Sequence, residues 1–125
     1  MCKKIAFSLF LCKGNIVMAL LERDFQAHVI RELQARFPGC VVCKMDANYR
    51  QGFPDILVLY QDKWALLELK RSANAHHQPN QDYYVNLLNE MSYANFIFPE
   101  NKESVFDDLQ RTFKIGRHSC SVERE

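Results

Sequence analysis

The chain is 125 residues long, which suits one domain with a single hydrophobic core. A formal net charge of +1 gives no global signal for nucleic-acid binding, although a local basic surface stays open because steering depends on where the charges lie. The five cysteines are odd in number and irregularly spaced, which argues against a secreted disulfide framework and favours a reduced, cytoplasmic protein.

Residues 1–17 have some features of a signal peptide, because two lysines precede an apolar run over residues 5–12. The run ends at Lys13, lacks a following small-residue cleavage site and is too short to cross a membrane. We therefore expect a protein that is neither secreted nor inserted in a membrane. The stretch MALLERDFQ, which starts at Met18, is typical of the start of a domain. Our hypothesis is that Met18 is the natural start and that residues 1–17 are an N-terminal extension upstream of it.

Residues 20–37 have the pattern of an amphipathic helix. Apolar side chains recur at every fourth position, namely Phe25, Val29, Leu33 and Phe37. Pro38 and Gly39 then end the helix. Residues 40–45, CVVCKM, form a short β-rich segment and predict a strand, and residues 46–54 predict a loop.

The next segment predicts a β-hairpin. Residues 56–60 are nearly all apolar, as in a strand that is covered on both faces. Residues 61–63 are polar and predict a turn, and residues 64–70 predict the partner strand. A second loop follows over residues 71–80.

Beyond this loop we expect a helix that begins at Pro79 or Asn80 and ends near Met91. The predicted apolar side of this helix consists of Tyr84, Leu87, Leu88 and Met91. Residues 93–98 predict a further strand, and Asn101 is the expected N-cap of a last helix. The inward-facing residues of the last helix are predicted to be Val105, Phe106, Leu109 and Phe113.

The order of elements is helix, three strands, helix, strand, helix. This order predicts one small α/β domain over residues 18–113, with a mixed sheet flanked by helices. A polar tail, which we expect to be loose, covers residues 114–125.

Three charged residues lie at one end of the predicted hairpin. With a turn centred on Asp62, Asp55 lies roughly opposite Glu68 and Leu69. Side chains alternate along a strand, so Glu68 and Lys70 share a face. Directly opposed residues have Cβ atoms about 4.5–5.5 Å apart. Asp55, Glu68 and Lys70 can therefore converge on one place.

Two neighbouring carboxylates repel each other, and a divalent cation between them removes that conflict. Oxygen ligands suit Mg²⁺ or Mn²⁺, and the backbone carbonyl of Leu69 is a candidate further ligand. A cation there would polarise a phosphate and activate water, while Lys70 would stabilise negative charge on phosphorus. The alternative is that these charges are ordinary solvated strand ends. Against it, the adjoining strands have the composition of internal strands, where an unpaired charge is costly.

The segment GFPDILVLYQDKWALLELK, residues 52–70, resembles the signature of the PD-(D/E)xK nucleases. Its Pro54-Asp55 and Glu68-Leu69-Lys70 stand in the motif. The wider pattern is similar to the small VRR-NUC and Holliday junction resolvase-like nucleases of phages. That branch has a glutamate on the first helix, a Gly-x-Pro-Asp turn and a glutamine opening the helix after the Glu-x-Lys strand. The corresponding residues here are Glu22 in ERDFQ, the turn over residues 52–55 and Gln81 in NQDYY.

The resemblance covers residues 20–113 and implies a restriction-endonuclease-like core of helix, three strands, helix and strand. It also implies Mg²⁺-dependent cleavage of DNA, with Mn²⁺ as a substitute. Asp55 and Glu68 would bind the metal, Lys70 would be the catalytic lysine, and Glu22 would be an outer or second-metal ligand. Gln81 would orient the lysine or a phosphate. The alternative for Glu22 and Gln81 is that they are ordinary polar residues at helix N-termini.

Basic residues in the loops that flank the predicted site are candidates for phosphate contacts. They are Arg71, Lys44, Arg50 and His77, of which Arg71 is favoured because it follows Lys70 directly. Ordinary surface charge is the alternative for each of them. Tyr49 has the chemistry to stack on a base, but we expect it to be partly buried in its loop.

The sequence thus predicts an endonuclease of branched DNA, such as Holliday junctions or replication and repair intermediates. Cutting two strands symmetrically would require a homodimer with twofold symmetry. A phage-encoded protein of this kind would act in the host cytoplasm. Two alternatives stay open: a nuclease for flap, single-stranded or RNA substrates, and a non-catalytic nucleic-acid-binding domain on the same fold.

Overall fold

The structure is a computed structural model that describes residues 14–46 and 48–123, with side chains over residues 22–46 and 48–114. The hypothetical extension over residues 1–17 therefore falls mostly outside the described residues. Helix α1 spans Gly14–Arg36, so it begins earlier than residue 20, the predicted start. Whether Met18 is the natural start stays a prediction.

Four strands form one mixed sheet. Their bounds are β1 Val41–Lys44, β2 Ile56–Tyr60, β3 Lys63–Leu69 and β4 Tyr93–Ile97. The spatial order is β1-β2-β3-β4, with antiparallel pairing of β1 with β2 and of β2 with β3, and parallel pairing of β3 with β4. Helix α2, Gln81–Met91, is the crossover between the two parallel strands, as parallel pairing requires. The predicted α/β class and mixed sheet are confirmed.

The β2–β3 hairpin is tighter than predicted. Tyr60 pairs with Lys63, so only Gln61 and Asp62 form the turn. Gln61 has a φ of 57°, the left-handed conformation that two-residue hairpin turns use to match strand twist. The resulting register places Ile56 opposite Leu67. Asp55 directly precedes Ile56 and Glu68 directly follows Leu67, so the tight turn places Asp55 and Glu68 side by side on the two strands.

Two hydrophobic clusters lie on opposite faces of the sheet. The larger cluster joins α1 and helix α3, Lys102–Glu123, to one face, with Leu33, Val58 and Phe106 at its centre. The smaller cluster joins α2 to the other face through Leu66, Val85 and Leu88. The helices therefore flank the sheet on both sides, and strand β3 is covered on each face, which explains its nearly continuous apolar sequence.

The buried face of α2 differs from the prediction. Its buried residues are Gln81, Val85 and Leu88, whereas Met91 is 63% exposed. The buried residues Gln81, Val85 and Leu88 are spaced by four and three and so lie on one helix face, whereas Tyr84 is only partly buried. The true face is therefore rotated by one residue from the predicted one, and it carries a glutamine toward the sheet.

The start and end of α3 also differ from the predictions. A 3₁₀ turn, Pro99–Asn101, precedes the helix, and the Asn101 side chain accepts the Phe98 N–H at 2.8 Å. Asn101 thus closes this turn instead of capping α3. The helix continues to Glu123, beyond the predicted end near residue 113, because no proline interrupts the polar segment. Its predicted inward-facing residues, Val105, Phe106, Leu109 and Phe113, are buried.

None of the helices described is long and apolar enough to cross a membrane.

Candidate active site

The candidate site lies where β2 begins and β3 ends. Pro54 is buried and leads into Asp55, which immediately precedes β2. Gly52 has a φ of 88°, and a Cβ there would lie 2.6 Å from the Asn80 Cβ and 2.8 Å from the Pro79 carbonyl oxygen. The turn before Asp55 therefore packs directly against the loop before α2, and only glycine allows this approach.

Asp55 is held in place by the partner strand. Its Oδ2 accepts the backbone N–H of Leu69 at 2.9 Å. Burial raises the pKa of Asp55 above its usual value, and the hydrogen bond from Leu69 opposes that effect. The hairpin therefore places Asp55 opposite Glu68 and Leu69, as the sequence predicts.

Glu68 is a buried carboxyl group with an unsatisfied oxygen. Its residue is only 3% exposed, and Oε1 has no hydrogen-bond partner among the described residues. Burial, and next the neighbouring Asp55 carboxylate, raise the pKa of Glu68 to about 8. Two carboxyl groups this close, one of them with a free oxygen, provide the oxygen donors that a divalent cation prefers.

Gln81 connects the catalytic candidates to helix α2. Its Nε2 donates to Glu68 Oε2 at 2.8 Å, and its Oε1 accepts from Lys70 Nζ at 2.7 Å and from the Gln78 N–H at 2.9 Å. Gln81 is buried, as a side chain with three polar partners can be. The glutamine predicted to orient the lysine is thus in direct contact with it.

Lys70 is held at the edge of the carboxyl pair. Its Nζ lies 3.9 Å from Glu68 Oε2 and donates to the backbone carbonyl of His76 at 3.0 Å. The contact with His76 was not predicted, and no sequence signal could have found it, because every residue type has this carbonyl. The loop after β3 thereby folds back over the lysine and fixes its direction.

Glu22 faces the site across an open cleft of about 240 Å³ that Asp55, Leu69 and Lys70 also line. Its Oε2 accepts from Arg71 Nη1 at 3.1 Å, so α1 and the loop after β3 are tied across this cleft. Arg23 and Gln26 also line the cleft and were not singled out from the sequence. The spacing of four between Glu22 and Gln26 was the available signal, because such residues share a helix face.

The predicted phosphate-binding residues are not all in one place. Arg71 is paired with Glu22, which lines the cleft, whereas Lys44 is exposed at the end of β1. His77 stacks on Phe96 with 4.3 Å between ring centroids, and its Nδ1 lies 2.8 Å from Asp82 Oδ1. Arg50 is exposed in the loop before Asp55, and its guanidinium donates to the Tyr84 hydroxyl at 3.3 Å.

The described part of the chain holds no group of three or more His, Cys, Asp or Glu side chains arranged to bind a metal ion. The predicted ligand set consists of Asp55, Glu68, the backbone carbonyl of Leu69 and Glu22; Asp55 and Glu68 are the close carboxyl pair, and Glu22 lies across the cleft. Mg²⁺ commonly binds through one or two carboxylates and keeps several waters, so two carboxylates are sufficient for this metal. Glu68 Oε1, which accepts no hydrogen bond from the described residues, supplies one oxygen ligand for such a metal.

No protein-family model matches the chain, and comparisons with curated proteins and with solved structures give no match. The similarity to PD-(D/E)xK nucleases therefore stays a prediction that rests on residues 52–70 and on Glu22 and Gln81.

Proposed function

We propose that this chain is a Mg²⁺-dependent endonuclease that hydrolyses DNA phosphodiester bonds on a restriction-endonuclease-like fold. The observation that carries the proposal is the buried carboxyl pair of Asp55 and Glu68, with the free Oε1 of Glu68 and with Lys70 beside it. A buried, unsatisfied carboxyl group reduces stability, and such groups are found where function requires them.

Asp55, Glu68 and the carbonyl of Leu69 would hold the metal ion. Bound there, Mg²⁺ would polarise a phosphate oxygen and make a bound water more acidic. Asp55 can act as a metal ligand because the Leu69 N–H occupies only Oδ2, which leaves Oδ1 available and fixes the direction of the carboxylate. Glu68 offers Oε1 while Gln81 occupies Oε2.

Lys70 would act on the phosphate next to these carboxyl groups. Its ammonium can donate to an attacking water or stabilise developing charge on phosphorus. Gln81 is a positioning residue, because it contacts Lys70 and Glu68 together and no substrate atom need touch it. Glu22 lines the other side of the cleft and pairs with Arg71, which could release Glu22 and contact a phosphate.

We propose branched DNA, such as junctions and replication or repair intermediates, as the substrate class, and a twofold homodimer as the form that cuts two strands. Both proposals extend the sequence resemblance. One site per chain supports the dimer, because a single carboxyl pair addresses one phosphodiester bond at a time.

A cleavage assay with paired variants tests the proposal. Labelled junction, flap, duplex and single-stranded DNA are incubated with Mg²⁺, Mn²⁺, Ca²⁺ or EDTA. We expect cleavage with Mg²⁺ and Mn²⁺ and none with EDTA. Asp55→Asn and Lys70→Ala should each lower the cleavage rate by roughly 100-fold or more, since each removes a group that stabilises the transition state.

Asp62→Asn is the matched control, because Asp62 is an exposed carboxylate in the turn at the other end of the same hairpin. It should cleave at the wild-type rate. Circular dichroism must show that all three variants are folded. Undiminished cleavage by folded Asp55→Asn would refute the proposed site, and binding without cleavage under every metal condition would favour a non-catalytic domain.

A further inference from the structure

A second open cleft, of about 380 Å³, lies beside the residues that lead into Asp55. Its volume is in the range of small-molecule binding sites. The side chains that line it are Met45, Asp46, Tyr49, Arg50 and Phe53. Two of these residues connect it closely to the carboxyl pair: Phe53 stands two positions before Asp55, and the Met45 N–H donates to the Asp55 backbone carbonyl at 2.8 Å.

Tyr49 is the most exposed aromatic residue of this cleft. It is 82% exposed, which corrects the expectation of partial burial. Two hydrogen bonds tie the backbone beside it to Asp46, whose side chain accepts the Asn48 N–H (2.9 Å) and whose carbonyl accepts the Tyr49 N–H (3.1 Å). An aromatic ring that is presented to solvent offers a free face for stacking.

Arg50 places a fixed positive charge beside this ring. Its guanidinium donates to the Tyr84 hydroxyl, and the Tyr84 ring packs edge-to-face on Phe53 with 5.5 Å between ring centroids. The Phe53 N–H in turn donates to the Arg50 carbonyl at 3.2 Å. The cleft therefore combines a planar apolar surface with a cation that helix α2 holds in place.

We propose that this cleft binds an unpaired nucleobase of the DNA strand, with the base stacked on Tyr49 and its phosphate against Arg50. The inference rests on the proposed function, since it takes the ligand to be the strand that is cut at Asp55 and Glu68. Phe53 stands two positions before Asp55, which limits their Cα distance to about 7 Å. A base held in the cleft would thus lie near the scissile phosphate.

The geometry selects unpaired over paired nucleotides. A base in a duplex has both faces covered by its neighbours, and taking it out of the stack has an energetic cost. An unpaired base at a bulge, flap or junction can enter without that cost. The cleft would thereby make the protein prefer DNA with unpaired bases, a preference that the carboxyl groups by themselves would not provide.

Fluorescence anisotropy in EDTA tests this inference with three labelled probes. They are a blunt duplex, the same duplex with a bulge of unpaired thymidines, and the same bulge built from abasic sites. Gel electrophoresis confirms that each probe stays intact. Wild-type protein should bind the thymidine bulge most tightly. Tyr49→Ala should weaken that binding on the order of 5- to 100-fold, the range of one lost stacking contact, and leave the other two probes nearly unchanged.

Tyr49→Phe should keep the preference, because the ring is what stacks. Tyr83→Ala is the matched control: Tyr83 is a tyrosine that is 60% exposed on α2 and does not line the cleft, so its loss should change no affinity. Arg50→Gln should weaken binding of both bulged probes, because each keeps its phosphates. Equal losses by Tyr49→Ala on all three probes, or no loss on the thymidine bulge, would overturn the inference.

Cleavage of the bulged duplex with Mg²⁺, measured in parallel, separates the two proposals. Cleavage that occurs while Tyr49→Ala binds like wild type would overturn the base-binding cleft alone. Binding that depends on Tyr49, without cleavage of any probe, would support the cleft and overturn the proposed nuclease activity.

Discussion

Glu68 combines almost complete burial with a carboxyl oxygen, Oε1, that has no hydrogen-bond partner among the described residues. Its other oxygen accepts from Gln81, and Asp55 lies next to it across the hairpin. An ionised carboxylate in this position is opposed both by desolvation and by its acidic neighbour, and that opposition is the reason for its raised pKa. The residue therefore weakens the fold in the absence of a bound cation.

Replacing Glu68 by glutamine should stabilise the metal-free protein. The amide is neutral, can still accept from Gln81 and can donate toward Asp55. At neutral pH we expect Glu68→Gln to raise the free energy of unfolding by about 1–3 kcal/mol in EDTA, because Glu68, with its pKa raised to about 8, must take up a proton on folding and glutamine need not. Chemical denaturation of the two proteins measures this difference.

Mg²⁺ titration provides the companion measurement. A ligand that binds only the folded state raises its stability, so saturating Mg²⁺ should raise the melting temperature of the wild type and have little effect on Glu68→Gln. A Glu68→Gln protein that is less stable than wild type in EDTA would contradict the account, as would equal responses of both proteins to Mg²⁺.

Two loops, rather than one strand or helix, assemble the candidate site. The turn that contains Gly52 packs against Pro79 and Asn80, directly before Gln81 opens α2. Asn80 itself has a φ of 73°, so both sides of this contact have left-handed backbone. The contact sets the position of α2 relative to Asp55. Because Gln81 opens α2 and accepts a hydrogen bond from Lys70, the contact also influences the position of the lysine side chain.

A matched pair of glycine substitutions measures what this contact contributes. Gly39 has a φ of 91° and no atom within 4 Å of a built Cβ, so Gly39→Ala should cost only the backbone strain, about 1–2 kcal/mol. Gly52→Ala has similar strain and also steric overlap with Asn80, and it should cost at least about 1 kcal/mol more. Urea denaturation compares the two, and equal losses would show that the loops move apart easily.

Helices α1 and α3 cover the same face of the sheet and are joined by an ion-pair network. Lys102 Nζ donates to Glu32 Oε1 at 2.7 Å, and Arg36 contacts both Glu32 (2.8 Å) and Glu103 (3.0 Å). The hydrogen bond from Lys102 is the main cause that lowers the pKa of Glu32 below its usual value. These pairs connect the first helix of the chain to the last one around a shared hydrophobic cluster.

This network should make stability depend on pH in the acidic range. Because the folded-state pKa of Glu32 is below its unfolded value of about 4.5, the ion pairs stabilise the protein above that pH and lose their effect as the pH falls through the folded pKa. Lys102→Met keeps the aliphatic packing and removes the charge. We expect it to lower the free energy of unfolding by about 0.2–1 kcal/mol at neutral pH.

Denaturation curves at several pH values measure this effect. The difference between wild type and Lys102→Met should shrink toward zero as Glu32 becomes protonated. Lys114→Met is the control, because Lys114 is an exposed lysine of the same helix and has no recorded ion pair in the described part of the chain. A Lys102→Met difference that stays constant down to acidic pH would mean that packing, and not charge, accounts for it.

Short-range pattern was enough to predict the order of the elements, the mixed sheet and the hairpin geometry. Asp55 opposite Glu68 follows from strand alternation and turn position, both of which are local properties of residues 52–70. The buried face of α2 was mispredicted because Tyr84 and Val85 are both apolar, and only packing against β3 decides which one points inward.

The sequence alone thus predicted Asp55, Glu68 and Lys70 as candidate site residues and determined that they meet at one hairpin end, because backbone alternation acts over neighbouring residues. Only the tertiary structure decided that Glu68 keeps a free, buried oxygen, that Gln81 links it to Lys70 and that Tyr49 lies open beside Asp55. These properties depend on burial and on contacts between residues distant in sequence. Burial and such contacts arise when helices and loops pack around the sheet, so no local pattern encodes them.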